Sequence, residues 1–266
     1  MYAFDYQRPS TVNEAAALLA NGSGAKLLAG GQTLIPTMKQ RLASPPLVVD
    51  LRDVAELRGI DRTNDRLVIG AMTTHAQVAE SAVVASTIPG LCNVAEGIGD
   101  PHVRHRGTIG GSLANNDPAA DYPAAVLALA ATIYTNKREI AADDFFQGLF
   151  TTALEEDEII TRVSFPIPER FGYAKFPNPA SRYAMVGVAV AKGPQGVRVA
   201  VTGAGQNGVF RATDMEAALT NAFTPDALKG ISVDPSLMNS DIHGDANYRA
   251  HLVTVMARRA VQAAAA

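Results

Sequence analysis

The sequence predicts an α+β protein built in two units, a larger one over residues 1–166 and a smaller one over 167–266. Three observations carry that reading. Short apolar runs that read as strands alternate with longer helical patterns. A break in composition falls at "FPIPERFGYAKFPNP", which places four prolines in fifteen residues (165–179). The chain has 266 residues, 47% hydrophobic and 18% charged, an ordinary globular balance with enough length for two modest cores.

The elements follow in order. Thr11 to Glu14 is a capping-box pattern that opens a helix through "AAALLA", and Gly22 closes it. A strand at 25–29 runs into Gly30-Gly31, and a short helical stretch follows near "TMKQRL". "LVVDL" (47–51) and "RLVIGAM" (66–72) read as strands, and 74–98 as helix interrupted at Pro89-Gly90. Next comes a loop, "GDPHVRHRGTIGGSLANNDPAAD", then an apolar helix from Tyr122 and strands at "TIYTN" and "EIITRVSFP". Beyond the prolines, "AMVGVAVAKG" and "GVRVAVTGAG" read as two strands of a hairpin or meander. A helix follows from Thr213, and a long one closes the chain from "NYRAHL".

Bulk properties exclude several classes. A net charge of −3 gives no footprint for nucleic acid or an anionic membrane. Asp5 and Arg8 stand where a signal peptide needs its apolar stretch, and "AAVLALAA" (124–131) is too short to span a bilayer, so a cytoplasmic setting is expected. A single cysteine, Cys92, excludes an intrachain disulfide and a self-contained four-cysteine iron–sulfur cluster.

One motif misleads. "TGAGQNG" holds glycines 203, 205 and 208 after a good strand, the spacing of a dinucleotide fingerprint. In that fingerprint the third glycine lies in the opening of the helix. Here the next helix has its own cap pattern, Thr213 to Glu216, several residues later, so the glycines read as a strand-to-helix turn.

The informative glycines come in pairs. "AGGQT" and "TIGGS" both set two glycines beside an apolar residue and a hydroxyl residue. One such pair is most simply a bulge or a tight turn. Two matched pairs suggest facing nests of backbone N–H groups that bind a diphosphate, aided by the hydroxyls of Thr33, Thr108 and Ser112. No GxxxxGK[ST] motif is present, which excludes a P-loop. Asp121, just beyond the second pair, is placed to accept a sugar hydroxyl.

"LLAGGQTLIPTMKQRL", "GDPHVRHRGTIGGSLANNDPAADYPAA" and "GYAKF…YAMVGVAVA" resemble the FAD-binding medium subunits of molybdenum hydroxylases, of the carbon monoxide dehydrogenase type within the xanthine dehydrogenase family. The resemblance covers almost the whole chain. It implies a two-part FAD-binding domain of the PCMH/VAO-like kind over 1–166 and a small α/β domain of the CO dehydrogenase flavoprotein type over 167–266. It also implies the residues that hold FAD. Ala29, Gly30, Gly31, Gln32, Thr33 and Leu34 form the first pyrophosphate loop, and Thr108, Ile109, Gly110, Gly111 and Ser112 the second. Asn115 and Asp121 match positions near the phosphate and ribose, and Ile98 a position beside the isoalloxazine. Ile160 matches a backbone contact at the adenine end, and Lys175 a flavin-contacting lysine. Many relatives carry His where this chain has Gln32. With no cysteine near either loop, FAD is expected to bind non-covalently.

The resemblance implies no catalytic acid, base or nucleophile in this chain. It implies instead a large partner subunit that carries molybdopterin and a small one that carries two [2Fe–2S] clusters. It further implies that the flavin takes electrons from the nearer cluster and delivers them to quinone, oxygen or NAD, in a dimer of heterotrimers. The alternatives are a self-sufficient FAD-dependent oxidase or reductase and a non-catalytic FAD-binding module. His102, Arg104, His105 and Arg106 lack the further ligands a metal site needs and read as a polar loop beside the flavin or an interface to a partner. Glu155 to Glu158 reads as a solvated turn before a strand.

Overall fold

The computed structural model describes residues 1–22 and 24–265. Its first layer is a small parallel sheet of β1 (Asp5–Gln7), β2 (Lys26–Leu28) and β3 (Leu47–Asp50), in the order β1-β3-β2. Parallel strands of one sheet need a crossover, and α1 (Val12–Asn21) supplies the one that carries the chain from β1 past the place of β3 to β2. The Thr11 hydroxyl caps α1 by accepting from the Glu14 amide at 3.2 Å. Glu14 returns the favour one residue upstream, accepting from the Ser10 amide at 2.7 Å. Val12, Ala15 and Leu19 form the buried stripe of α1 and pack with Val49 and Leu51. After the first glycine pair comes α2 (Leu34–Lys39).

The second layer is antiparallel. Strands β4 (Ile60–Arg62) and β5 (Arg66–Gly70) form one hairpin, and β6 (Thr132–Thr135) and β7 (Glu139–Ala141) another. Between the two hairpins in sequence lie α3 (His75–Glu80), α4 (Ala82–Thr87), α5 (Pro89–Glu96), α6 (Pro101–Arg104), α7 (Ile109–Asn115) and α8 (Tyr122–Ala128). The chain then forms α9 (Ala142–Phe145), a small hairpin of β8 (Phe146–Gly148) and β9 (Thr151–Thr152), and β10 (Ile160–Pro166). β10 inserts between the hairpins and gives the order β4-β5-β10-β6-β7. Leu67, Ile69, Val163 and Phe165 share one core with Leu91, Ile109, Leu113 and Tyr122 from the helices.

The third layer is an antiparallel sheet of β11 (Arg170–Pro177), β12 (Ala184–Gly193), β13 (Gly196–Thr202) and β14 (Phe210–Arg211). α10 (Thr213–Asn221) and α11 (Ala246–Ala265) cover one face, and Val186, Val188 and Val190 pack there with Val253, Met256 and Ala257. The other face is not exposed: Ala189, Ala191 and Ala200 join the core of the second layer. On the helix side, α11 lies so close to β11 that Gly172 has no room for a side chain, since a Cβ would overlap the Ala260 carbonyl.

Four differences from the sequence reading have physical reasons. The proline-rich stretch holds β11, because its prolines bracket a proline-free run, 169–176, that pairs with β12. "TGAGQNG" is the hairpin loop between β13 and β14, with Gly203 and Gly208 at φ +80° and +90°, and no dinucleotide turn. Thr213 does not cap α10. Glu216 instead turns inward, accepting from the Val199 amide at 2.9 Å and from Arg211. Glu158 is no solvated turn residue either. It is buried on Arg138 and Thr135, and Arg138 holds its carboxyl down to about 2.

Candidate functional site

The two glycine pairs lie side by side. Gly30 has no room for a side chain, because a Cβ would overlap the Arg106 carbonyl and sit 2.7 Å from the Gly107 Cα. The two segments therefore touch backbone to backbone, and that contact, rather than a ligand, is what excludes a Cβ at Gly30. Gly31 has another reason to be glycine, its φ of +73°. Beside this junction opens a cleft of about 830 Å³, within the range of cofactor sites.

Donor groups distinguish the two segments. Among the described residues, the backbone amides of Gly31, Gln32, Thr33 and Leu34 donate to no protein group. They form an open concave set at the cleft, with the Thr33 hydroxyl making no cap bond of its own. The second segment is not a matching nest. Thr108 caps α7, and the amides of Ile109, Gly110, Gly111 and Ser112 donate to Thr73 O, Ala71 O, Thr108 Oγ1 and Thr108 O. Gly110 is glycine because α7 rests on Ala71, whose Cβ would lie 2.6 Å from an added Cβ.

Most residues expected at a cofactor site line this one cleft. Ala29 to Leu34 form one wall, Thr108, Gly110, Gly111, Ser112 and Asn115 the next, and Ile98 and Ile160 stand at other parts of the rim. Ile109 does not line it, because its side chain is fully buried in the core beneath. Asp121 lines it with only 4% of its surface exposed, and its carboxylate already accepts from Tyr173 Oη at 2.5 Å and Lys175 Nζ at 2.9 Å. Burial pushes the Asp121 carboxyl up, against the pull of Lys175.

Lys175 is also placed differently from the expectation. It lies behind the cleft wall, donating to Gly97 O at 2.7 Å and Arg182 O at 3.0 Å as well as to Asp121. All three ammonium donors are thus engaged by protein, and the residue clamps the Ile98 segment to the loop at 181–183. Arg104 likewise turns inward to the carbonyls of Ile98 and Gly99, while His102, His105 and Arg106 remain exposed.

Sequence reasoning missed several lining residues. Ser181, Arg182 and Tyr183 come from the loop between β11 and β12, and Leu154, Glu155 and Ile159 from the segment before β10. Their only sequence signal was position beside Lys175 and Ile160. His75 was missed outright.

The family models match the geometry. Residues 2–168 match the FAD binding domain in molybdopterin dehydrogenase, and 171–264 match the CO dehydrogenase flavoprotein C-terminal domain. This chain belongs to the FAD-binding subunits of the molybdopterin dehydrogenases. It is 36% identical to the carbon monoxide dehydrogenase medium chain of Hydrogenophaga pseudoflava, over 98% of this chain and 96% of that one. It is equally 36% identical to the nicotine 6-hydroxylase medium subunit of Paenarthrobacter nicotinovorans, over 99% and 98%. Its fold superposes on reconstituted CO dehydrogenase from Oligotropha carboxidovorans with a TM-score of 0.91 at 35% identity, covering 99% of this chain and 98% of that one. Among the described residues of this flavoprotein subunit, no helix is long and apolar enough to cross a membrane.

Proposed function

We propose that this chain is the electron-relaying medium subunit of a cytoplasmic molybdenum hydroxylase complex, holding FAD non-covalently in the cleft. The observation that carries the proposal is the open set of amides at Gly31–Leu34 on a cleft of about 830 Å³, within a chain of this family. Such amides suit a diphosphate without a lysine, since several N–H dipoles converge on one anion. The Thr33 hydroxyl would add a donor, and Ile98, Ile160 and Tyr183 line the same cleft; the family resemblance would put Ile98 beside the flavin ring and Ile160 at the adenine end.

When bound, FAD supplies the one- and two-electron chemistry that no side chain here provides. The protein's part is to hold and shield. Lys175 fixes two walls of the cleft, and Asp121 and Tyr173 keep that ammonium in place. With one cysteine, the chain needs a small subunit for [2Fe–2S] clusters and a large one for molybdopterin, in a dimer of heterotrimers. The exposed His102, His105 and Arg106 are candidates for the interface with such a partner. Quinone, oxygen or NAD would take the electrons. The substrate belongs to the large subunit, consistent with equal identity to chains named for carbon monoxide and for nicotine.

The test is anaerobic reduction of the flavin by substrate in the purified complex and in the FAD-loaded chain alone. Reduction only in the complex is expected. Full-rate oxidation of a small molecule by the isolated chain would contradict the relay.

A further inference from the structure

His75 opens α3 directly beneath the junction of the two glycine segments, and the relay reading gives it no role. Its backbone amide donates to Gly107 O at 3.0 Å, and Thr74 bridges to Thr108. The imidazole packs on Gly107, where an added Cβ would lie 2.5 Å from Nε2 and 2.8 Å from Cδ2. Gly107 is the residue whose Cα closes against Gly30, so the ring supports the contact that shapes the cleft. The side chain lines the cleft although the residue is only 4% exposed.

The ring is short of partners. Nδ1 is fully buried with no hydrogen-bond partner among the described residues. The Tyr122 ring packs on the imidazole at 5.3 Å between centroids, yet its hydroxyl also finds no partner. A buried N–H without an acceptor is costlier than a buried lone pair without a donor. The tautomer with Nδ1 bare and the proton on Nε2 is therefore the cheaper one. Burial, reinforced by Arg104, lowers the imidazole to about 4, so it is neutral near pH 7. Unlike Nδ1, Nε2 is unpartnered among the described residues without being fully buried, so a neutral ring protonated there keeps one donor free at the cleft that His75 lines.

We propose that His75 is a further ligand of the cofactor, donating its Nε2–H to the FAD diphosphate at the junction of the two glycine segments. The inference rests on the FAD reading above and adds a residue to it. The diphosphate is the acceptor because the open amides of the first segment mark the anion's place, and His75 lies under the Gly107 contact to that segment. Neither ribityl nor adenine groups have such a reason to be there.

The experiment uses the full chain and three probes, FAD, ADP and riboflavin. ADP carries the diphosphate without the flavin, and riboflavin carries the ribityl chain without phosphate. His75→Leu should weaken FAD and ADP by about 10- to 100-fold, the range for a hydrogen bond to a charged group, and leave riboflavin nearly unchanged. His75→Gln, whose amide nitrogen can reach the Nε2 position, should recover most of that loss. In the ¹⁵N-labelled wild type, ADP should shift the His75 Nε2 resonance, a readout that holds even if a variant folds poorly. Unchanged ADP affinity in His75→Leu, or a silent Nε2 resonance, would overturn the assignment. A loss confined to riboflavin would overturn it too, by placing the ribityl chain there. Failure of the wild type to bind FAD would instead sink the cofactor reading itself.

Discussion

The Gly30–Gly31 and Gly110–Gly111 segments carry one sequence signature and do different work. The first leaves its amides open to the cleft, and its glycines allow a left-handed residue and a backbone contact. The second closes every amide from Ile109 to Ser112 on protein acceptors and uses Gly110 to seat a helix against Ala71. A glycine pair therefore reports that a Cβ is forbidden without saying what forbids it. In one segment the consequence is a set of open amides at the cleft, and in the other it is packing against the strand end at Ala71.

Gly110→Val and Gly30→Val should give the largest effects, because backbone atoms of Ala71 and Arg106 block the new side chain and cannot rotate away. Each should cost more than about 4 kcal/mol, read as loss of the cooperative thermal transition. A Gly110→Val protein that melts normally but has lost FAD would reverse the assignment of packing to the second segment.

Lys175→Met comes next. It strands the Asp121 carboxylate, which is 4% exposed, and frees two backbone carbonyls behind the cleft wall. Removing one partner of a buried ion pair costs about 3–5 kcal/mol, measurable as a shift in denaturant midpoint. A protein of unchanged stability that binds flavin more weakly would put the ammonium on the ligand instead.

The pH dependence tests the joint between the segments. His75 lies at about 4 when folded, below its ordinary value of 6.5, so the unfolded chain binds the proton first as pH falls. Stability contributed by this group is complete above about pH 6.5 and declines toward pH 4, by up to about 3 kcal/mol. The difference between wild type and His75→Gln across that window should carry this slope. A flat difference would show an imidazole open to water.

Gly31→Ala should have the smallest effect on the fold. Its φ of +73° strains an alanine by about 1–2 kcal/mol, and the nearest obstacle is the movable end of Ile35. FAD affinity should nonetheless fall about tenfold, because the turn aims the neighbouring amides. Equal loss of stability and affinity would erase the contrast with Gly110.

What the sequence made legible followed from local patterns. The Thr11 cap, the strands around Val49 and Val163, and the long final helix are stated by composition and periodicity. So are many of the residues that meet at the cleft, since the two glycine segments and Asp121 stand out in the sequence alone. What escaped was decided by distant partners. β11 hid between prolines because its pairing partner, β12, is what makes it a strand. Glu158 and Glu216 look like surface acids until Arg138 and Arg211 fold onto them. Lys175 reads as a ligand residue in sequence, and only the fold shows Gly97 and Arg182 taking its donors. His75 carries no motif at all.

The most direct measurement of the central claim is amide hydrogen exchange with and without FAD. Gly31, Gln32, Thr33 and Leu34 have no protein acceptor among the described residues and should exchange fast without FAD and slowly with it. Ile109, Gly110, Gly111 and Ser112 should be protected in both states. Protection that appears first at 109–112, while 31–34 stay fast with FAD bound, would contradict the account.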